Sequence, residues 1–317
     1  MIHKLPLGFR TVPSEVVLSA LTFSLGEEDV GGRAWERLVK RVDAEISPRS
    51  EFSKKWREVE EALPYAVDYL SRYGVTAMSL LPSTQLLVLL TLYFVHRGKK
   101  RPPSAAAKRL DAWFWHAAVS DRYSGRGYRQ NLLDDARFMA RLAESPNAKQ
   151  APRSPVDLYR LRRSEYAAGS SLSRAYFALL ALQQPRYLED GGLVPGHAYA
   201  SVANRPDKHH IFPRQHLVHH GFTSRDFNAI PNVCLIVARE NQRIGAKAPR
   251  AYLQIGAISH SKRARSAAFK SHLIPGDADS GLWDENARAG FESFVEQRTE
   301  KIANAFEKRA GVTLFRR

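Results

Sequence analysis

The segment DKHHIFPRQHL, residues 207–217, brings three histidines together with Lys208 and Arg214. Such a group could form a metal-dependent catalytic centre, a zinc site, or a basic loop facing a polyanion. An imidazole has an ordinary pKa near neutrality, so it can take a proton from water at physiological pH. Adjacent residues of a β-strand point to opposite faces, so His209 and His210 are expected to have different roles. One could turn towards a metal ion and the other towards the attacking water.

The elements expected around the histidine pair follow the order strand, loop, strand, helix. The candidate strands are residues 197–203, which precede the pair, and the β-branched segment NVCLIV at residues 232–237. The segment ARENQRIGAKAP, residues 238–249, predicts a short helix that carries Asn241. Asn232 lies 22 residues after the second histidine and nine residues before Asn241. This order and these spacings are compatible with the ββα-metal arrangement of HNH nucleases.

The stretch HHIFPRQHL…IPNVCLIVARENQRIGAKAPRAYL resembles the HNH domain of the GmrSD-like modification-dependent restriction and phage-defence proteins. Three flanking segments also resemble elements of that family: LDAWFWHAAVSDRYSG, SLSRAYFALLALQQPRYLEDG and SHLIPGDADSGLWDENARAGFESFVEQR. The resemblance covers roughly residues 60–310.

The resemblance implies a metal-dependent HNH DNA endonuclease with little sequence preference, which nicks DNA or cuts both strands. In it His210 would be the general base. Asn232 is counted with the catalytic centre, where it would hold the loop by hydrogen bonds rather than contact the metal. His209 and Asn241 would be the metal ligands, and Lys247 would lie near a phosphate.

The expected cofactor is a divalent metal ion that stabilises charge growing on the scissile phosphate. Mg²⁺ is the expected ion. HNH sites commonly have an aspartate at the position that His209 takes here. Because a neutral imidazole makes the site softer and less negative, Mn²⁺ or Ni²⁺ could compete with Mg²⁺.

The charge of the chain suits a polyanionic partner, with DNA first and an anionic membrane surface second. The 48 Lys and Arg exceed the 32 Asp and Glu, which leaves a formal charge of +16. The alternative is an ordinary solvated basic surface. Residues 241–276 contain seven Lys and Arg and no acidic residue, which indicates a surface that contacts successive phosphates of a nucleic-acid backbone. The residues expected to contact DNA are Arg214, Arg243, Lys247, Arg250, Lys262, Arg263 and Arg265. A second basic cluster comprises Arg153, Arg160, Arg162, Arg163 and Arg174.

Apolar periodicity predicts a mostly α protein, a helical domain followed by an HNH ββα-metal nuclease domain with flanking helices. Helical spacing is clearest over residues 110–118, 130–144, 172–180 and 291–306. The Pro- and Ser-containing segment 144–155 is the candidate boundary, so the predicted domains are residues 1–150 and 151–317. Trp113, Phe114 and Trp115 are expected in the core rather than on a base-stacking surface.

Three features bear on location and partners. The apolar run at residues 86–95 is about half the length that spans a bilayer, so it predicts a buried helix and no membrane partner. The single cysteine, Cys234, and the lack of a signal peptide indicate the cytoplasm. Full-length relatives carry a nucleotide-hydrolysing sensor with a DGQQR-like signature, and this sequence has none. The chain is therefore expected to be an effector portion that works with a separate or N-terminal sensor domain or subunit.

Several alternatives stay open at this point. His216, His219 and His220 could form a second metal site, although no cysteine or acidic residue accompanies them. The chain could be a catalytically inactive DNA-binding or regulatory subunit. It could also be an RNA-directed nuclease, or an HNH enzyme outside defence that prefers one DNA site.

Overall fold

The computed structural model shows a mostly helical protein that divides into two compact units, Met1–Ser154 and Pro155–Arg317. It describes residues 5–28, 32–44, 46–150, 153, 155–188, 190–194, 209–234, 238–254, 261–276 and 280–316. The division falls in the segment at residues 144–155, where the sequence places its candidate boundary.

The first unit is built from six helices among its described residues. They are α1 (Ser14–Ser24), α2 (Gly32–Ala44), α3 (Ile46–Leu70), α4 (Thr84–His96), α5 (Ser104–Val119) and α6 (Tyr128–Glu144). Helix α4 packs against α1, α3 and α6, and it contains the apolar run at residues 86–95. The Ser83 side chain accepts a hydrogen bond from the Gln85 N–H at the N-terminus of α4. The prediction of a buried helix is confirmed, because nearly all of that run is buried. Among the described residues no helix combines the length and apolar character needed to cross a membrane.

The aromatic residues of α5 lie in the core, as predicted. Trp113, Phe114 and Trp115 are at most 1% exposed. The Phe114 ring stacks on Tyr73 with its centroid 3.8 Å away, and the Trp115 ring meets Tyr73 edge to face. These rings are therefore used for packing inside the first unit and are not available for base stacking.

A buried carboxylate, Asp135, organises the end of the first unit. It accepts hydrogen bonds from Arg122 at 2.7 Å, from the Tyr123 hydroxyl at 2.6 Å and from Arg153 at 2.5 Å. The prediction that Arg153 belongs to a second basic surface cluster is wrong, because its side chain is only 8% exposed and forms an ion pair inside the first unit. An isolated buried charge is strongly unfavourable, so each of these groups requires the others.

The second unit surrounds one long C-terminal helix. Its described elements are β1 (Val156–Asp157), α7 (Leu158–Arg163), α8 (Ser171–Leu182), β2 (His209–His210), α9 (Arg214–His219), α10 (Ser224–Phe227), β3 (Val233–Cys234), α11 (Ala238–Ile244), α12 (Pro249–Tyr252), α13 (Lys262–Ser271), α14 (Ala287–Ala310) and β4 (Phe315–Arg316). β1 pairs in parallel with β4, and β2 pairs antiparallel with β3. Helices α7 and α8 pack against α14. The helices predicted over 110–118, 130–144, 172–180 and 291–306 are confirmed by α5, α6, α8 and α14.

The N-terminal end of α14 is fixed by a close backbone approach between two glycines. Gly281 has φ +76°, and a Cβ there would lie 2.0 Å from the Gly290 carbonyl oxygen. A Cβ on Gly290 would lie 2.6 Å from the Gly281 carbonyl oxygen. Neither position can carry a side chain without moving the backbone, so this contact sets how the loop before α14 packs on the helix.

Candidate functional site

The histidine pair and the second strand form a short antiparallel hairpin. His209 pairs with Cys234 and His210 with Val233, and the Ile211 N–H donates to the Asn232 carbonyl at 2.8 Å. Helix α11 follows β3 in the chain. The described strand is the histidine pair itself, and the segment 197–203 predicted as a strand lies outside the described residues. Of the strand predicted at 232–237, residues 233–234 are confirmed, and residues 235–237 lie outside the described residues. The prediction is wrong at Asn232, which ends a 3-10 turn before the strand.

Asn232 is completely buried at the end of a 3-10 turn that leads into β3. Its side-chain oxygen accepts from the Phe212 N–H at 2.8 Å, and its amide nitrogen donates to the carbonyls of Phe212 and Phe227 at 3.0 Å each. Through these three hydrogen bonds the Asn232 amide connects both ends of the loop between β2 and β3. Being buried, it is not in a position to contact DNA.

His210 is buried at the same hairpin, 9% exposed. Its ring lies edge to face with Phe227, and its Nε2 is 3.3 Å from the side-chain oxygen of Asn228. An amide oxygen can only accept, so this contact favours the tautomer with the imidazole proton on Nε2. In that tautomer Nδ1 is the ring nitrogen that can accept a proton.

The backbone fixes Asn228 in that position. The Tyr166 N–H donates to the Asn228 carbonyl at 2.8 Å, and the Asn228 N–H donates to Ser224 at 3.0 Å. The neighbouring Ile230 N–H donates to Ser164 at 2.9 Å. The residue that orients His210 is therefore held by the segment after α7, far away in the sequence. Sequence reasoning did not single out Asn228, because an asparagine in a loop gives no signal of its own.

The two expected metal ligands are described to different extents. Asn241 is half-buried in α11, where its carbonyl accepts from the Gly245 N–H at 3.1 Å. For His209 the structure describes the backbone, while the side chain lies outside the described part of the chain. Within the described residues no group of three or more His, Cys, Asp or Glu could hold a metal ion. An HNH centre with an asparagine ligand would not form such a group.

Most of the predicted DNA-contacting residues are exposed, and one of them, Arg214, packs against the same aromatic ring as His210. The guanidinium of Arg214 is 5.3 Å from the centre of the Phe227 ring, whose edge meets the imidazole. Five of the other residues are exposed, and Arg265 is half-buried against Trp283 at 5.6 Å. The exposed five are Arg243, Lys247, Arg250, Lys262 and Arg263.

The structure corrects two details of the basic segment. The helix predicted over residues 238–249 ends at Ile244, where Gly245 takes φ +55°, so Lys247 follows the helix and donates to the Arg243 carbonyl at 2.9 Å. Arg250 forms an ion pair of 2.6 Å with Glu285, a carboxylate that lies outside the segment in sequence. An exposed pair of this kind contributes little stability, but it reduces the local positive charge.

A buried arginine that the sequence analysis did not identify supports the hairpin. Arg298 of α14 is 0% exposed and donates to the carbonyls of Pro231 at 2.6 Å and Val233 at 2.9 Å. It also donates to the Tyr176 hydroxyl at 2.7 Å and to the His272 carbonyl at 2.8 Å. Pro231 and Val233 flank Asn232, so this guanidinium fixes the backbone on both sides of the site asparagine.

The other three histidines lie close together around the end of α9. The His220 ring is 4.7 Å from His216 and 5.3 Å from His219, centre to centre. Partial burial lowers the pKa of His216, and the neighbouring imidazoles of His220 and His219 lower it further. Within the described residues no group of three or more His, Cys, Asp or Glu, this cluster included, could hold a metal ion. The structure therefore gives no support to a second metal site there.

Comparison with known proteins gives little further information. No protein-family model matches the chain. An uncharacterized protein of the archaeon Methanocaldococcus jannaschii is 24% identical over 258 residues, which is 74% of this chain and 42% of the relative. The chain thus spans less than half the length of that relative.

Proposed function

We propose that the second unit is a metal-dependent DNA endonuclease of the HNH type, with His210 as the general base. We also propose that it serves as the effector of a restriction or anti-phage system, licensed by a nucleotide-hydrolysing sensor domain or subunit.

The observation that carries the proposal is the geometry of the β2–β3 hairpin. The hairpin places His210 on β2, with its Nε2 directed at the side-chain oxygen of Asn228. The buried Asn232 lies immediately before β3. The next helix along the chain carries Asn241. Ordinary loop histidines are solvated and have no such support, whereas a general base needs a fixed ring and a defined tautomer.

In the proposed reaction the Nδ1 atom of His210 takes a proton from water, and the oxygen of that water attacks the phosphorus. The bond between the phosphorus and the 3′ oxygen breaks, and the departing 3′ oxygen takes a proton from solvent. Asn228 keeps the ring in the required tautomer, while Asn232 keeps the loop in place. Arg214, beside Phe227, is positioned to contact a neighbouring phosphate. His209 and Asn241 would hold the divalent cation, which supplies positive charge to the scissile phosphate when bound. An imidazole nitrogen and an amide oxygen are a chemically suitable but uncharged pair for Mn²⁺, Ni²⁺ or Mg²⁺.

The test is conversion of supercoiled plasmid to nicked or linear DNA by the full chain, alone and together with a nucleotide-hydrolysing partner protein encoded beside it. We expect cleavage with Mg²⁺ or Mn²⁺ and none after the metal is removed with EDTA, since the reaction needs the cation. A structured RNA of similar length, incubated in parallel, tests the choice of nucleic acid. His210→Ala protein purified in the same way controls for contaminating nucleases.

Each outcome bears on the assignment. Metal-dependent plasmid nicking that the control protein lacks supports a DNA endonuclease. Cleavage of RNA alone would replace DNA as the substrate. Binding of metal and DNA without cleavage, also in the presence of the partner, would contradict the proposal in favour of an inactive DNA-binding subunit.

A second prediction concerns the basic segment. Lys262 and Arg263 are exposed at the start of α13, and neither forms an ion pair with any residue that the structure describes. Each phosphate contact contributes about 0.9 to the slope of log K against log salt for duplex DNA. Replacing both with glutamine is therefore expected to weaken DNA binding and to reduce that slope by up to about two. Fluorescence anisotropy with a labelled duplex over a range of salt concentrations measures both quantities.

The matched control removes the same charge from another surface of the same unit. Lys301 and Lys308 are exposed on α14. We expect the Lys301→Gln/Lys308→Gln protein to keep the slope of the parent. If both double variants have the same slope of log K against log salt, Lys262 and Arg263 of α13 do not contact DNA phosphates.

A further inference from the structure

A concave pocket in the second unit is distinct from the hairpin site and is lined by an excess of positive charge. Its volume is about 420 Å³, within the general range of small-molecule sites. Four guanidinium groups and two carboxylates contribute to its lining. They are Arg162, Arg163, Arg225, Arg288, Asp226 and Glu292.

Its arginines retain hydrogen-bonding capacity. Arg162, Arg163 and Arg225 form no ion pair within the described part of the chain. Arg288 approaches Glu292 only to 3.8 Å, and both side chains are 58% exposed. This loose pair leaves most donors of the guanidinium available to a ligand.

Of the two carboxylates, Asp226 is occupied within its own turn. It accepts from the Thr223 N–H at 2.9 Å and from the Thr223 hydroxyl at 2.7 Å. Partial burial opposes ionisation, but these hydrogen bonds and the charges of Arg163 and Arg288 lower the pKa of Asp226. It therefore stays ionised and structural, and the pocket keeps a net positive charge.

The walls of the pocket are held by packing and backbone hydrogen bonds. Phe222 and Phe291 form its apolar side, with their rings edge to face and 4.8 Å apart. The Arg288 guanidinium lies 4.7 Å from the centre of the Phe222 ring, which orients it. The antiparallel bridge between Glu165 and Ala229 joins the segment after α7 to the loop that lines the pocket. Because the Phe222 ring orients it, the Arg288 guanidinium loses less entropy when a ligand binds than a freely rotating side chain would.

We propose that this pocket binds the phosphate group of a nucleotide, with the arginines on the phosphate and the phenylalanine wall beside the less polar part of the ligand. Arginines recognise phosphate with paired N–H donors, which a concave arrangement of four of them favours. The nucleotide is either a free one or the phosphorylated end of a DNA strand. The site is separate from the proposed nuclease centre and does not depend on it.

The experiment is a calorimetric titration of the full chain with pyrophosphate and with ATP. Divalent metal is left out, so that a metal ion at the nuclease centre cannot bind either probe. We expect Arg288→Gln and Arg162→Gln to weaken binding about tenfold or more, the size of a lost hydrogen bond to a charged group. Glu292→Gln removes a repelling carboxylate and is expected to strengthen binding about fivefold, the effect of one unit charge at about 4 Å in water. This gain cannot come from damage to the fold.

Arg309→Gln is the matched control, because it removes one charge from an exposed position of the same unit outside the pocket. It should leave pyrophosphate affinity unchanged. Oligonucleotides with a 5′-phosphate or a 5′-hydroxyl separate the two sources. If the protein prefers the 5′-phosphorylated oligonucleotide and Arg288→Gln abolishes that preference, the ligand is the end of a DNA strand. If ATP binds and there is no such preference, the ligand is a free nucleotide. No binding of any probe, or equal affinity of the Arg162, Arg288 and Arg309 variants, would overturn the proposal.

Discussion

Replacing His210 with alanine is expected to slow plasmid cleavage about 10²- to 10⁴-fold at saturating metal, the usual contribution of a general base. The reason is specific to the ring. Its Nε2 faces the Asn228 side-chain oxygen at 3.3 Å, so the tautomer with Nδ1 as proton acceptor is the one that the site stabilises. Alanine removes that acceptor and leaves the hydrogen bonds of Asn232 in place. The measurement is the initial rate of nicking, with circular dichroism to show that the fold is retained.

Two further variants separate chemistry from packing. His210→Gln keeps a side-chain amide that can donate to Asn228 but has no basic nitrogen, so it should be as slow as alanine. Asn228→Ala keeps the imidazole but releases its tautomer, so a smaller loss is expected, together with a changed dependence of the rate on pH. Should the alanine and glutamine variants both cleave at the parental rate, His210 is not the base.

Local pattern was sufficient for most of the helices. The apolar stripe of residues 110–118 depends on neighbours three or four positions away, and the Ser83 cap before α4 depends on Gln85, two positions away. A single sequence displays both. The hairpin was partly accessible for the same reason, since a β-branched segment follows Pro231. Its strands are only two residues long in the described part of the chain, and the helix after them ends at Ile244 rather than at residue 249. Short elements are fixed by tertiary contacts, so their ends were not predictable.

Several contacts of individual side chains could not be predicted from the sequence, because each joins separate segments of the chain. Arg153 belonged to a run of basic residues and is instead buried against Asp135. Glu285 reduces the charge at Arg250 although it lies outside the basic segment. The most consequential case is Arg298. Its place on the apolar face of α14, seven residues after Phe291, can be read from the sequence, but its hydrogen-bond partners cannot. The side chain is completely buried beneath the hairpin.

Arg298→Met is expected to destabilise the second unit by roughly 3–5 kcal/mol. Methionine fits the space of the aliphatic stem but donates no hydrogen bond. The carbonyls of Pro231 and His272 would lose the Arg298 donors that they now have at 2.6 and 2.8 Å. The Val233 carbonyl keeps the Tyr176 hydroxyl, at 2.6 Å, as a second donor, so the loss there is smaller. Removing a buried charge offsets part of this effect, but the polar groups that it served remain buried.

Hydrogen exchange is the suitable measurement, because two compact units need not unfold together. The Ile211 and Phe212 amides report directly, since they donate to Asn232 across the hairpin. Their protection should fall in Arg298→Met and stay at the parental level in Arg309→Met, a change at an exposed site of the same helix. Unchanged protection in the first variant would show that the guanidinium is not what holds the hairpin. If protection falls, DNA cleavage should fall with it, because His210 and Asn232 act only when both strands are in register. Stability of the second unit and catalysis are thus expected to depend on the same buried side chain.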